Sequence, residues 1–129
     1  MAERVVERTL SDGGLSIHYR LERLGGDLLL TVTGGAAHVG CVVLATHRQS
    51  LTGSGADSAD SSVLNRSGHK DEFLLRALAE RLSAVAGCAV AAVGGVHYDG
   101  LDQQRLRSAA HIEQQALAQA EDWAAELLP

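Results

Sequence analysis

Three of the six histidines follow or precede short motifs at the predicted ends of strands and helices. His38 comes after a glycine pair in the stretch TGGAAHVG, His97 comes after a second pair in GGVHYD, and His69 stands before Lys70 and Asp71. An imidazole takes up or gives up a proton near neutral pH and also binds metals. The pattern therefore predicts a pocket lined by His38, His69 and His97, if the element ends meet along one edge of a sheet.

A metal ion at the same three histidines is the weaker interpretation. Metal sites in short chains commonly show closely spaced pairs such as H-x-x-H or C-x-x-C, and the sequence contains none. We expect no metal, and His38, His69 and His97 would be the ligands if one were bound.

The two glycine pairs are also candidate phosphate contacts. Glycines at a strand end let backbone N–H groups approach an anion closely, and the pair at residues 94–95 precedes a predicted helix whose N-terminus favours negative charge. Lys70 adds a cation. Neither stretch matches a Walker A or a dinucleotide-binding motif. Two tight turns and a solvated helix start are the alternative interpretation of these residues.

Nothing in the sequence indicates a stand-alone hydrolase. There is no G-x-S-x-G motif, and Cys41 lies in the apolar run CVVLA, where a thiol is inert. We expect no independent enzymatic activity.

The composition predicts one small globular domain over residues 1–129, with 46% hydrophobic residues and a formal net charge of −5. Negative charge disfavours binding to nucleic acid, which relies on Lys and Arg. No apolar stretch is long enough to span a bilayer or to act as a signal peptide, so we expect a cytoplasmic protein that does not bind membranes.

The elements that must position these residues follow from the hydrophobic pattern. Strict alternation over residues 15–21 predicts a strand with one wet face, after an initial strand at 5–10. Continuous apolar runs at 28–33 and 39–46 predict strands buried on both faces. The sequence predicts an antiparallel meander of about four strands.

The second half of the chain predicts a helix, a strand and a helix. Apolar residues recur at helical spacing over 71–86 and 102–127, and a short apolar run at 88–93 lies between them. The Ser/Gly/Asp-rich stretch at about 50–66 predicts a flexible loop. The fold class is α/β (α+β), with both helices on one face of a mixed sheet. The uncovered sheet face predicts a homodimer.

Three motifs together resemble a known family. They are GDLLLTVTGG at residues 26–35 with HVG at 38–40, HKD at 69–71, and AVGGVH at 92–97. Their order and spacing resemble the LpdD-like proteins, the small D subunits of gallate and related hydroxyarylic acid decarboxylases, from about residue 15 to the final helix.

The resemblance implies a maturation factor that binds prenylated FMN, or FMN, and serves a UbiD-type decarboxylase as partner, with a possible role in oxidising the cofactor. It also implies a fold similar to that of small proteasome-assembly chaperones, often dimeric. The implied catalytic residues are His38, His69 and His97. The implied cofactor-binding residues are Thr33, Gly34, Gly35, His38, His69, Lys70, Gly95, His97 and Asp99.

Two alternatives stay open from the sequence. In the first alternative, the chain is a subunit that takes part in decarboxylase turnover, so activity needs the chain even after the partner holds mature cofactor. In the second, the chain is an assembly chaperone that binds only protein and has no affinity for flavin.

Overall fold

One mixed sheet carries two helices in the computed structural model, which describes residues 4–66 and 72–127. The elements in chain order are β1 (Val5–Asp12), β2 (Leu15–Leu24), β3 (Asp27–Gly35), β4 (Cys41–Gln49), β5 (Asp57–Asn65), α1 (Glu72–Ala86), β6 (Val90–His97) and α2 (Gln103–Leu127). The sheet order is β1-β2-β3-β6-β4-β5.

The pairing of β3 with β6 decides where the site forms. These two strands run parallel, whereas every other neighbouring pair in the sheet is antiparallel. Their register runs from Leu28 opposite Val90 to Gly35 opposite His97. The carboxyl ends of parallel strands meet at one edge of a sheet. The residues that follow the two glycine motifs are therefore brought together.

The core lies between one face of the sheet and the two helices. Alternate residues of the strands are buried, as Ile17, Tyr19 and Leu21 are in β2. From the helices, Leu78 and Trp123 are buried against them, and the ring centroids of Tyr19 and Trp123 lie 5.3 Å apart. Because α1 and α2 also contact each other, both helices cover the same sheet face.

The predicted fold class is confirmed, with a difference in strand order. β1, β2 and β3 form the expected antiparallel meander, but β4 does not continue it because β6 lies between β3 and β4. Central positions in a sheet suit strands with small and apolar residues, and β6 is made only of Val, Ala and Gly before His97.

The prediction of a flexible loop at about residues 50–66 was wrong for most of that stretch. Residues 57–65 form β5, an edge strand paired antiparallel with β4 from Cys41↔Asn65 to Gln49↔Asp57. An edge strand needs few apolar residues, so its composition resembles that of a loop. Val63 packs against the core, and the Ser61 hydroxyl donates to Glu80 of α1 at 2.6 Å.

The prediction that the central strands are buried on both faces was also wrong. Both helices lie on one side, so the opposite side, called the open face below, has no cover within residues 4–66 and 72–127. Leu44 is 50% exposed and Leu64 is 75% exposed on this face. Val42 pairs in register with both Leu64 and Val93, which makes the apolar patch continuous across three strands.

The helix ends follow local capping rules. The Asp102 carboxylate accepts a hydrogen bond from the Arg105 backbone N–H at 2.8 Å, which is the N-cap geometry for α2. The predicted first residue of α1, Asp71, lies outside the described residues, and α1 is described from Glu72. Among the described helices, none is long and apolar enough to cross a membrane.

Candidate functional site

A pocket of about 270 Å³ opens where β3 and β6 end. It is lined by Ala36, Ala37, His38, Arg66 and His97, and is called the histidine pocket below. Two of the three predicted histidines thus come together from positions far apart in the sequence. The cause is the parallel pairing of β3 and β6, because the residues at the ends of both strands then lie at the same edge of the sheet.

The glycine that ends β3 sets the shape of this pocket. Gly35 has a φ of 66°, and a Cβ there would lie 1.9 Å from the carbonyl oxygen of His97. Only glycine fits this close approach at a positive φ. The backbone N–H of Ala36 then donates to the same carbonyl oxygen at 3.0 Å. The turn is therefore fixed to the strand that carries His97.

Hydrogen bonds orient both imidazole rings. His38 Nδ1 lies 3.0 Å from the carbonyl oxygen of Ala36, and His97 Nε2 lies 2.9 Å from Oδ1 of Asp99. Each partner atom is an acceptor, so each of these ring nitrogens carries a proton. The ring centroids lie 6.4 Å apart and the planes are nearly perpendicular. In the neutral tautomer that donates to Asp99, His97 has Nδ1 as its acceptor.

Arg66 is the cationic wall of the histidine pocket. Its backbone N–H donates to Gly40 at 2.9 Å, which extends the β4–β5 ladder by one residue. Its Nη1 donates to the carbonyl oxygen of Val39 at 3.2 Å. Sequence reasoning missed this residue because the stretch around it was assigned to a flexible loop. The available signal for a strand was the period-two spacing of Ser61 and Val63, which places both side chains toward the helices.

Tyr98 anchors the segment after His97 to the neighbouring strand. Its hydroxyl donates to the carbonyl oxygen of Ser16 and accepts from the Ser16 backbone N–H, the latter at 2.9 Å. Behind the turn, Gly34 leaves room for the backbone, since a Cβ there would lie 3.0 Å from the same Ser16 carbonyl oxygen. The floor of the site is thus held by β2, β3 and β6 together.

Other predicted site residues lie beside the pocket on the open face. Thr33 pairs in register with Gly95, one step along the sheet from Gly35 and His97. Asp99 is connected to the histidine pocket by its hydrogen bond with His97. His69 and Lys70 fall outside the described residues.

The interpretation of the second glycine pair as a turn before a helix was wrong. Gly94 and Gly95 lie inside β6, where they pair in register with Val32 and Thr33 of β3. The reason for glycine is close packing, because a Cβ on Gly94, whose φ is 145°, would lie 1.8 Å from the Val32 carbonyl oxygen. These residues shape the sheet and do not form an anion nest.

The metal interpretation has no support from the described part of the chain. Residues 4–66 and 72–127 hold no group of three or more His, Cys, Asp and Glu side chains placed to bind a metal ion. The third histidine of that interpretation, His69, lies outside those ranges.

A second concavity, of about 470 Å³, lies between β5 and α1. Its charged wall residues include Asp57, Glu80 and Arg81. Glu80 already accepts the hydroxyl of Ser61, and none of the predicted motif residues reaches this groove. We therefore place the candidate site at the histidine pocket, although it is the smaller of the two.

Groups with raised pKa values lie away from the histidine pocket. Burial raises the pKa of Tyr19 in the core, and the negative charge of Glu113 adds to this. Burial likewise raises the pKa of the Glu113 carboxyl on α2 and, together with the Asp27 charge, that of the Cys88 thiol. These shifts follow from packing beneath the helices.

Comparison with known proteins now bears on this site. The model of the prenylated flavin chaperone LpdD-like domain matches residues 11–125, which include both strands of the histidine pocket and Arg66. The chain belongs to this LpdD-like family. The resemblance inferred from the three motifs is thereby confirmed.

The fold also has a solved counterpart. A chain in the crystal structure of a novel chaperone complex for yeast 20S proteasome assembly superposes with a TM-score of 0.54 and 15% sequence identity, covering 99% of this chain and 100% of that chain. At this identity the likeness shows the fold alone, and it confirms the expected proteasome-assembly-chaperone-like architecture. No curated protein sequence matches the chain.

Proposed function

We propose that this LpdD-like protein binds prenylated FMN at the histidine pocket and delivers it to a UbiD-type decarboxylase. The observation that carries the proposal is the convergence of His38, His97 and Arg66 at one edge of the sheet, within a chain whose family is that of prenylated flavin chaperones. A phosphorylated flavin needs cationic and N–H donors at one end and apolar surface at the other. The histidine pocket offers the donors, and the adjoining open face offers the apolar surface.

A shallow site suits a carrier better than an enzyme. A carrier must release its ligand to a partner, and the histidine pocket is an open concavity at the sheet edge. His38 and His97 are oriented through Ala36 and Asp99 and so need little rearrangement on binding. Preorganised donors give specificity without a deep cavity.

Oxidative activation of the cofactor is a finer part of the proposal. With dioxygen as the oxidant and hydrogen peroxide as its product, a bound reduced flavin would supply the two electrons and two protons of this oxidation. His97 Nδ1 is an acceptor in the tautomer that donates to Asp99, so His97 would relay one of these protons toward dioxygen.

Anaerobic gel filtration with reduced prenylated FMN tests the binding step. We expect flavin absorbance to co-elute with the protein, and the co-elution to be lost in a His38→Ala, His97→Ala double variant. The matched control is His47→Ala, because His47 lies near the opposite end of β4 and pairs with Asp57. Intact protein without flavin, in the wild type as well, contradicts the proposal.

We also propose a cytoplasmic homodimer in which the apolar patches around Leu44 and Leu64 of two copies meet. The charged half of the open face is already paired within the chain, since Arg20 contacts Glu22 at 2.9 Å and Glu7 at 3.3 Å. The charged half of the open face therefore needs no charged partner surface, whereas the apolar patch of Leu44 and Leu64 needs an apolar partner surface. An isologous contact with a second copy places that patch against itself.

Light scattering tests the dimer. The expected mass is twice the chain mass of 13.5 kDa, and Leu44→Asp with Leu64→Asp should return it to the chain mass. Leu106→Asp is the matched control, because Leu106 is 54% exposed and belongs to α2, on the covered side of the sheet. A wild-type protein of single-chain mass contradicts the dimer and leaves the cofactor proposal standing.

The second candidate function is an assembly chaperone that binds only protein, through the apolar patch on the open face. It predicts that decarboxylase maturation is insensitive to His38→Ala and His97→Ala and sensitive to Leu64→Asp. The cofactor proposal predicts sensitivity to the histidine variants.

A further inference from the structure

We infer that the histidine pocket is the subsite for the phosphoryl end of the cofactor, with Arg66 as its anchor, and that the ring stays outside the pocket. This rests on the proposed function and decides how its site is divided. Neither Arg66 nor the division of the site was evident from the motifs.

The size of the pocket limits what it can enclose. Pockets that enclose a whole drug-sized ligand measure about 300–1,000 Å³. The histidine pocket measures about 270 Å³, and a prenylated flavin nucleotide is larger than an ordinary drug. Only one end of the molecule can lie inside.

The charges of the pocket select the phosphoryl end. Arg66 is a guanidinium with five N–H donors in a fixed fork, a geometry that matches phosphate oxygens. Among residues 4–66 and 72–127, its side-chain hydrogen bond is the one from Nη1 to Val39. The Asp99 carboxylate, which is 95% exposed, pairs with His97 and not with Arg66.

The ring then has a surface beside the pocket. Arg66 follows Leu64 at the period-two spacing that places both on the open face, and His97 follows Gly95 and Val93 in the same way. Thr33 and Gly95 form a step with small side chains between the pocket and the apolar patch. A flat ring fits this step without entering the pocket.

The test compares reduced prenylated FMN with its dephosphorylated form, prenylated riboflavin, in anaerobic binding titrations. We expect the wild-type protein to bind the phosphorylated ligand about 10- to 100-fold more tightly, as for a charge-assisted hydrogen bond. Arg66→Gln should remove this preference and leave the affinity for prenylated riboflavin unchanged. Arg48→Gln should keep the preference, because Arg48 pairs with Asp60 near the far end of β4.

Each outcome decides between the proposals. Equal affinity of the wild-type protein for both ligands, or an unchanged preference in Arg66→Gln, overturns the phosphoryl subsite while the carrier function stands. A wild-type preference that Arg66→Gln abolishes supports it. If neither ligand binds, the carrier function itself is overturned, and the subsite with it. Loss of affinity for both ligands in Arg66→Gln, with an unchanged melting temperature, places the ring in the pocket and overturns the division of the site.

Discussion

Replacing Gly35 by alanine tests the geometry that builds the site. The new Cβ would lie 1.9 Å from the His97 carbonyl oxygen, and Cβ atoms essentially never approach closer than 3.0 Å, so the carbonyl must move by 1.1 Å or more. This movement breaks the hydrogen bond from Ala36 to His97, which costs about 1 kcal/mol. A positive φ for alanine costs about 1–2 kcal/mol more.

The total destabilisation is therefore about 2–3 kcal/mol before any wider shift of β6. For a domain of this size, 1 kcal/mol corresponds to about 3–5 °C in melting temperature, so we expect a loss of about 10 °C. Gly14→Ala is the matched control, because Gly14 has a φ of 81° and nothing within 4 Å of its Cβ position. It should lose about 5 °C, from the backbone term alone.

The assay is thermal unfolding by circular dichroism, followed by flavin co-elution for both variants. Gly35→Ala should lose flavin binding even well below its melting temperature, because His97 has moved. Gly14→Ala should keep it. Equal melting temperatures for the two variants would refute the close approach of Gly35 to His97.

Three further perturbations follow from the contacts. Tyr98→Phe removes the hydroxyl that bonds to both backbone groups of Ser16 and should lower the free energy of unfolding by about 1–2 kcal/mol, measured by denaturant titration. Asp102→Ala removes the N-cap of α2 and should cost about 1 kcal/mol, whereas Asp102→Asn should cost far less. Because burial raises the pKa of Glu113, its stabilising contribution is present at low pH and is lost as pH rises through the raised value. Glu113→Gln should therefore flatten the decline of the denaturation midpoint as pH rises from the ordinary pKa of 4.5 through the raised pKa, and an unchanged slope would contradict this assignment.

The sequence predicted those parts of the fold that depend on local patterns. Alternation in β2 and helical spacing in α1 and α2 need only neighbouring residues, and these elements are present near their expected bounds. The place of β6 between β3 and β4 depends on long-range pairing, which local patterns do not encode. The polar stretch of β5 was taken for a loop because its stability comes from β4 and α1.

The candidate site was partly predictable for the same reason. The two glycine motifs indicated that His38 and His97 lie at strand ends, and the parallel pairing of β3 and β6 brings them to 6.4 Å between ring centroids. Arg66 could not be found in this way, because its role depends on β5 being a strand. The role of Gly94 was missed because a glycine pair is typical of a turn and also of a strand whose backbone packs closely against another backbone.

Cofactor delivery is the central claim, and maturation of an apo UbiD-type decarboxylase with limiting prenylated FMN tests it most directly. We expect the wild-type protein to accelerate the appearance of decarboxylase activity, and the His38→Ala, His97→Ala double variant to give the rate seen without the protein. Equal acceleration by the wild-type protein and the double variant would contradict the claim and would show that the chain assists its partner without using the histidine pocket.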